Sequence, residues 1–237
     1  MIVSKKSLGQ NFLIDKNIID KILNLTKIKG RDIIEIGPGK GALTEEILKR
    51  KPRSLIIIEK DFRLAEKLNQ KYILNKFIKI YNEDILKFDI EKICKKNSAI
   101  FGNLPYNISS QILVKVIKLK KWPPNINDIV FMFQKELGEK IISKFPSSSY
   151  GRLSILTNYR LNVSEKFLVS PNCFRPKPKI ISMVIHFKTK KEKLPSIKNI
   201  DNLEKVTNIF FSNKRKMINK NIKKILTESQ IKKIKDL

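Results

Sequence analysis

Five short apolar runs lie between residues 32 and 133, at 32–36, 54–58, 77–81, 99–102 and 129–133. Each is rich in β-branched or aromatic residues and is bounded by polar residues or glycine, the pattern of a buried strand. Between them, apolar side chains recur at helical spacing: Leu43, Ile47 and Leu48; Phe62, Ala65 and Leu68; Ile112, Leu113, Val116 and Ile117; Leu137, Ile141 and Phe145. Strands alternating with helices of this length predict an α/β fold, a mostly parallel sheet with helices on both faces. Ahead of the first run, Ile18, Ile19, Ile22, Leu23 and Leu25 predict an amphipathic helix with Asp15 as its cap.

The alternation then breaks. Residues 160–169 and 180–188 read as two strands joined by a Pro-rich loop with no long helix between them, which predicts an antiparallel pair closing the sheet. A charged linker follows from Thr189 to Pro195, and the remainder is helical by pattern, with Leu203, Val206, Ile209 and Phe210 and then Ile218, Ile222 and Ile225 on apolar faces. The chain therefore divides into an α/β domain over 1–188 and a small helical domain over 189–237.

Charge changes the picture of what this fold meets. The 237 residues carry a formal net charge of +28, and residues 188–237 hold 15 Lys and Arg against 5 Asp and Glu. Such a chain attracts polyanions, nucleic acid first among them. Lys, Ile and Asn are abundant throughout, however, so compositional drift accounts for the excess as readily as a binding face does. Cys94 and Cys173 have no ligand-like spacing, and His186, the only histidine, sits in an apolar run that reads as strand. A metal site or a His-based triad has almost no material here. No apolar stretch approaches a membrane span, and the start lacks a signal-peptide core. A soluble protein in a reducing compartment is expected, cytoplasmic or else made inside an organelle, without metal or membrane.

Candidate chemistry lies at the carboxyl ends of the predicted strands, where open α/β sheets bind ligands. Glu35-Ile36-Gly37-Pro38-Gly39-Lys40-Gly41 follows the first strand and opens a helix. An ordinary tight turn uses glycines in the same way. The spacing is G-x-G-x-G, not the G-x-G-x-x-G that frames a pyrophosphate, and it suits a ligand whose amino-acid part crosses the loop. Glu59 ends the second strand, 22 residues after Gly37, where a carboxylate accepts hydrogen bonds from ribose hydroxyls. Asp84 lies just past the third strand, placed to accept from an adenine amine. With both acids in register, a nucleoside-bearing cofactor is the better reading.

Asn103-Leu104-Pro105-Tyr106 follows the fourth strand. An aromatic amine is a poor nucleophile because its lone pair is conjugated with the ring. Two acceptors, the Asn103 side-chain oxygen and a carbonyl near Leu104, would hold such a nitrogen toward tetrahedral geometry and aim its lone pair at a methyl donor. Pro105 fixes φ and biases its neighbour toward an extended conformation. Tyr106 offers a face for the base, worth about 1–3 kcal/mol per stacked base. Downstream, Phe174-Arg175-Pro176-Lys177-Pro178-Lys179 would place Phe174 on the other face of the base and three cations near phosphates. A rigid Pro-rich hairpin with solvated lysines is the plainer alternative.

Lys6–Leu13, Glu35–Thr44, Asn103–Ser109 and Phe174-x-Pro-x-Pro-Lys-x-x-Ser182 together resemble the ribosomal RNA adenine N6,N6-dimethyltransferase family. The resemblance implies a Rossmann-like class I methyltransferase domain, with a seven-stranded sheet whose last strand is antiparallel, followed by a small helical domain. It implies S-adenosylmethionine as cofactor, and as substrate two adjacent adenines near the 3′ end of 16S rRNA in the small ribosomal subunit or its precursor. It places Asn11 and Leu13 against the cofactor, although by pattern these look like a polar turn before a helix. Gly37 would meet the amino-acid part, Glu59 the ribose, Asp84 the adenine, and Asn103 both cofactor and target amine. Pro38, Leu104 and Phe211–Lys216 look more like the small-subunit enzymes than their large-subunit relatives. A monomer is expected. The tail is short for the family, and an RNA-binding factor without catalysis or a DNA adenine methyltransferase on the same scaffold are the alternatives.

Overall fold

The computed structural model describes residues 10–192, 197, 199–211, 222–223 and 226–235. The expected alternation is present. Strands β2 (Asp32–Ile36), β3 (Ser54–Ile58), β4 (Ile78–Tyr81), β5 (Ser98–Asn103) and β6 (Ile126–Gln134) run parallel. The helices among them are α2 (Ala42–Lys49), α3 (Phe62–Tyr72) and α4 (Ser109–Ile117), preceded by α1 (Lys16–Leu23) and followed by α5 (Lys135–Ile142) and α6 (Arg152–Arg160). β7 (Leu161–Val169) and β9 (Ser182–Thr189) complete a seven-stranded sheet of order β4-β3-β2-β5-β6-β9-β7, with β9 antiparallel to both neighbours. A crossover between parallel strands must carry the chain back along the sheet; a helix does so after β2, β3 and β5, and a segment with one 3-10 turn, Ile90–Lys92, does so after β4.

Period-two alternation sorts the strand residues between two cores. Ile34, Ile36, Ile100, Phe131, Phe133, Ile185 and Phe187 face α4, α5 and α6 through Ile112, Leu113, Ile141 and Leu156. Ile33, Ile57, Phe101, Val130, Met132 and Val184 face the other way, onto Ile19, Ile22, Leu23, Leu43, Ile47 and Leu68 of α1, α2 and α3. Asp15 caps α1 as expected, accepting from the Ile18 amide at 3.1 Å.

Three expectations need correction, and one helix, α6, was not anticipated. Phe62 is the first residue of α3 and is 66% exposed; Leu64 takes its place beside Ala65 and Leu68 on the buried face. Phe77 lies ahead of β4 and is exposed. α5 ends at Ile142, so Phe145 leaves the helical stripe and stands 81% exposed, edge-on to Tyr150. α6 escaped the pattern because its buried face carries Ser154 and Thr157 beside Leu156. The Ser154 hydroxyl makes burial tolerable by accepting from the Gly151 amide and donating to the Lys140 carbonyl.

Beyond the sheet, α7 (Ile200–Phe211) docks on the α4 and α6 side. Lys118 reaches Asp201 and Glu204, both at 2.7 Å, and Arg152 donates to Asn208. A final helix spans Glu228–Lys235. Ile218, Ile225 and residues 212–216, which carried part of the tail reading, lie outside the described residues.

At the edge of the sheet away from the glycine loop, Asp128 on β6 joins three elements. One oxygen accepts from Arg31, just before β2, at 2.8 Å; the other bonds His186 Nε2 on β9, also at 2.8 Å. His186 is thus a buried strand residue, as its apolar surroundings suggest. Burial pushes the Asp128 carboxyl up, but the bonds from His186 and Arg31 outweigh it and hold the pKa at about 2. That lies below the unfolded value of about 3.9. Its contribution to stability is therefore complete above about pH 4 and is lost as pH falls toward 2. Asp128→Ala is expected to cost about 1–3 kcal/mol, since Arg31 loses its charged partner but keeps its bonds to Thr26 and to the Lys27, Asn97 and Ser98 carbonyls. Denaturant unfolding at pH 7 measures the loss, and the variant's stability should fall less between pH 4 and 2 than the parent's.

Candidate active site

Parallel register brings the chemical residues to one level. Ile36 of β2 pairs with Ile58 of β3 on one side and Gly102 of β5 on the other, so Gly37, Glu59 and Asn103 are each one step beyond paired residues. Asp84 follows β4 at the same end of the sheet. A cleft there is lined by Asn11, Leu13, Gly37, Glu59, Asp84 and the whole of Asn103–Tyr106. All the residues expected to hold a cofactor are together in it.

Two glycines shape this cleft. Gly37 has φ +67, and its amide donates to the Ile58 carbonyl at 2.9 Å, turning the chain sharply off β2. Gly39 has φ +59, and a Cβ there would lie 2.8 Å from the Phe12 ring. The expected polar turn around Asn11 is instead a short strand. β1 (Phe12–Leu13) pairs antiparallel with β8 (Phe174–Arg175), and the Ile14 amide donates to the Cys173 carbonyl at 2.9 Å. This strap lies across the glycine loop, with the Lys40 ammonium 4.8 Å from the Phe12 ring centre.

Glu59 is buried and both oxygens are engaged, one by the Asp61 amide at 2.8 Å and the other by the Gly39 amide at 3.2 Å. Each oxygen keeps capacity for a second donor, and Glu59 lines the cleft. Burial raises its pKa above the ordinary carboxylate value, and the amide bonds moderate the rise. Asp84 is held the other way. The Lys60 ammonium at 2.8 Å and the Leu86 amide at 2.9 Å lower its pKa. Sequence reasoning passed over Lys60, whose only signal was its place beside Glu59.

The Asn103 amide nitrogen donates to the Asn11 carbonyl at 3.0 Å. That bond fixes which end of the side chain is the acceptor, leaving Oδ1 able to receive a hydrogen from an amine. Leu104 is buried, Pro105 accepts from the Ile108 amide at 3.2 Å, and Tyr106 lies half-buried with its ring on the cleft. Burial raises the phenol pKa, so its hydroxyl is neutral.

Phe174 does not stand opposite Tyr106. It is 2% exposed and packs in the core with Leu13 and Val184, because pairing of β8 with β1 turns its side chain inward. The expectation that it stacks on a base is corrected accordingly. Arg175, Lys177 and Lys179 in the same loop are exposed, free of ion pairs among the described residues. No group of three or more metal-capable side chains occurs among the described residues, and no described helix is long and apolar enough to cross a membrane. Cys94 and Cys173 are both free thiols.

A seven-stranded sheet of this order, a glycine loop after its first parallel strand and acids at the next two strand ends define a Rossmann-like methyltransferase. The family model described as ribosomal RNA adenine dimethylase matches residues 2–236, and the chain belongs to that family. Over 225 residues it is 47% identical to a ribosomal RNA small subunit methyltransferase A of Pelagibacter ubique, covering 92% of this chain and 82% of that protein. A protein of the same name from Francisella tularensis subsp. novicida is 43% identical over 235 residues, covering 96% and 87%. Among solved structures, a dimethyladenosine transferase from Plasmodium falciparum superposes with a TM-score of 0.76 at 29% identity, covering 90% of this chain and 74% of that one. The 23S rRNA methyltransferase ErmE shares the fold, with a TM-score of 0.70 at 24% identity over 95% and 89% of the two chains.

Gly39→Ala is expected to destabilise the protein by at least about 1–2 kcal/mol, the cost of a left-handed conformation for an L residue, and to push Phe12 off the loop. Thermal unfolding reads the first effect and loss of cofactor affinity the second.

Proposed function

We propose that this chain uses S-adenosylmethionine to dimethylate the N6 amines of two adjacent adenines near the 3′ end of 16S rRNA, during assembly of the small ribosomal subunit. The observation that carries the reading is the Asn103 turn beside the acid-lined cleft, with its amide nitrogen tied to Asn11 and its oxygen left as acceptor. The donor set also fits the cofactor. Glu59 suits ribose hydroxyls and would repel a 2′-phosphate, Asp84 suits an adenine amine, and the backbone of Gly37 is open to an amino-acid group. Asn11 and Leu13 would cover it from the strap. When bound, S-adenosylmethionine supplies an electrophilic methyl group on a sulfonium.

The protein's own part is binding and orientation. Asn103 Oδ1 and the Leu104 carbonyl accept the two amine hydrogens, pulling the nitrogen toward tetrahedral geometry. Pro105 restrains the turn, and Tyr106 stacks against the base to offset part of the few kcal/mol lost when it leaves its helix. No side-chain base is required, since the nitrogen is cationic once methylated and its proton passes to solvent. Positioning accounts for the rate. The exposed Arg175, Lys177 and Lys179 would meet phosphates. We also read the chain as a methyltransferase domain over 1–188 and a basic helical domain over 189–237, acting as a cytoplasmic monomer.

Mass spectrometry of rRNA from immature small subunits, incubated with protein and cofactor, tests this directly; unmodified adenines would refute it. Asn103→Ala should lower transfer on the order of 10²-fold or more, as misplacement of a reacting group does. Calorimetry on that variant should still detect the cofactor. Glu59→Ala should weaken cofactor binding by about 10- to 100-fold, the worth of hydrogen bonds to a charged group, also read by calorimetry.

A further inference from the structure

Ser182 ends the motif that begins at Phe174, and nothing above gives it a task. It is the first residue of β9, fully buried, with its backbone paired to Gln134 of β6 and Val169 of β7. Its hydroxyl lies 2.6 Å from the Tyr106 hydroxyl. At the other end of Tyr106, the Ser109 hydroxyl donates to the main-chain carbonyl at 3.1 Å. The tyrosine is thus held at both ends, by the first turn of α4 and by a strand inside the sheet. Its ring is the only aromatic of the Asn103 turn facing the cleft, and Phe174, the expected second platform, is spent on the core.

We propose that Ser182 is a positioning residue that fixes the plane of the Tyr106 ring and so sets where the target adenine of the RNA stacks relative to Asn103. This rests on Tyr106 being the base platform, as read above. A tyrosine side chain turns about two torsions, and a phenol without its partner would let the ring tilt. A tilt carries the stacked amine away from Asn103 Oδ1, and small misplacements of a reacting atom are costly. The Pro-rich loop then has two outputs. Arg175, Lys177 and Lys179 face solvent for the phosphates, while Ser182, at the loop's far end, holds the base platform from behind. The hydrogen bond serves in either direction, since each hydroxyl donates and accepts.

The test is a double-mutant cycle on the full chain, with immature small subunits and saturating cofactor. S182A and Y106F each remove the bond from one side. Each should lower kcat by several-fold to about tenfold, the range for one neutral hydrogen bond. The double variant should be no slower than the slower single one, because the two share one interaction. Cofactor affinity of S182A, read by calorimetry, should match the parent's, since Ser182 does not line the cleft. A merely structural role predicts a lower Tm for S182A with parental kcat in the folded protein, and that result overturns the proposal, as do losses that multiply in the double variant. Should S182A fail to fold, Y106F decides: parental kcat overturns the proposal, and a several-fold loss at unchanged Tm upholds it. If the parent protein leaves the adenines unmodified while still binding the cofactor, the enzymatic reading fails instead.

Discussion

Parallel pairing of β2 between β3 and β5 is the constraint on which the rest depends. Hydrogen bonding fixes Ile36 opposite Ile58 and Gly102, and the next residues, Gly37, Glu59 and Asn103, all line the cleft. Had one of these pairings slipped by a residue, Ile58 would take the place of Glu59, or Gly102 or Leu104 that of Asn103, and the side chains of the slipped strand would change faces. The same slip would turn Ile34 and Ile36 out of one core and Ile33 into it. Burial on both faces therefore enforces the register, and the register assembles the site. Stability and chemistry are specified by the same isoleucines.

The buried charges fit this view. Glu35 points into the protein one residue before the turn, where burial pushes its pKa up to about 8 and Thr44 donates to it at 2.7 Å. It joins the end of β2 to the start of α2 from beneath the glycine loop. At the opposite end, Asp128, Arg31 and His186 clamp β2, β6 and β9 together. Polar side chains thus tie strands at both ends of the sheet, while isoleucine and phenylalanine fill the span between.

Much of this was legible from residue order alone. β2 and β3 match their predicted runs residue for residue, because strands in a sheet covered on both faces are apolar at most positions. Gly37, Glu59, Asp84 and Asn103 follow from counting to strand ends. What remained hidden depends on contacts between distant segments. Nothing local marks Phe12 as a strand residue, since β1 exists only through its pairing with β8. The same pairing takes Phe174 away from the cleft. α6 was invisible because its inward face carries a threonine and a serine, and the bonds that satisfy the serine are supplied only by the folded chain. Phe62 and Phe145 mislead for a simpler reason: one opens its helix and the other lies past the end of its own, where apolar spacing continues but the helix does not bury them.

The strap has a consequence for the order in which the molecule is completed. Its partner strand lies near the other end of the α/β unit, so closing β1 onto β8 joins residues from the first and last portions of that unit. Two residues of pairing repay little of the entropy of closing so long a loop, and the intervening sheet must supply the proximity. A growing chain that has emerged only as far as Tyr106 would hold the glycine loop, both acids and the Asn103 turn in their strands. It would still lack the roof over them. The cleft would gain its cover late in synthesis, with the hairpin that carries the Pro-rich loop.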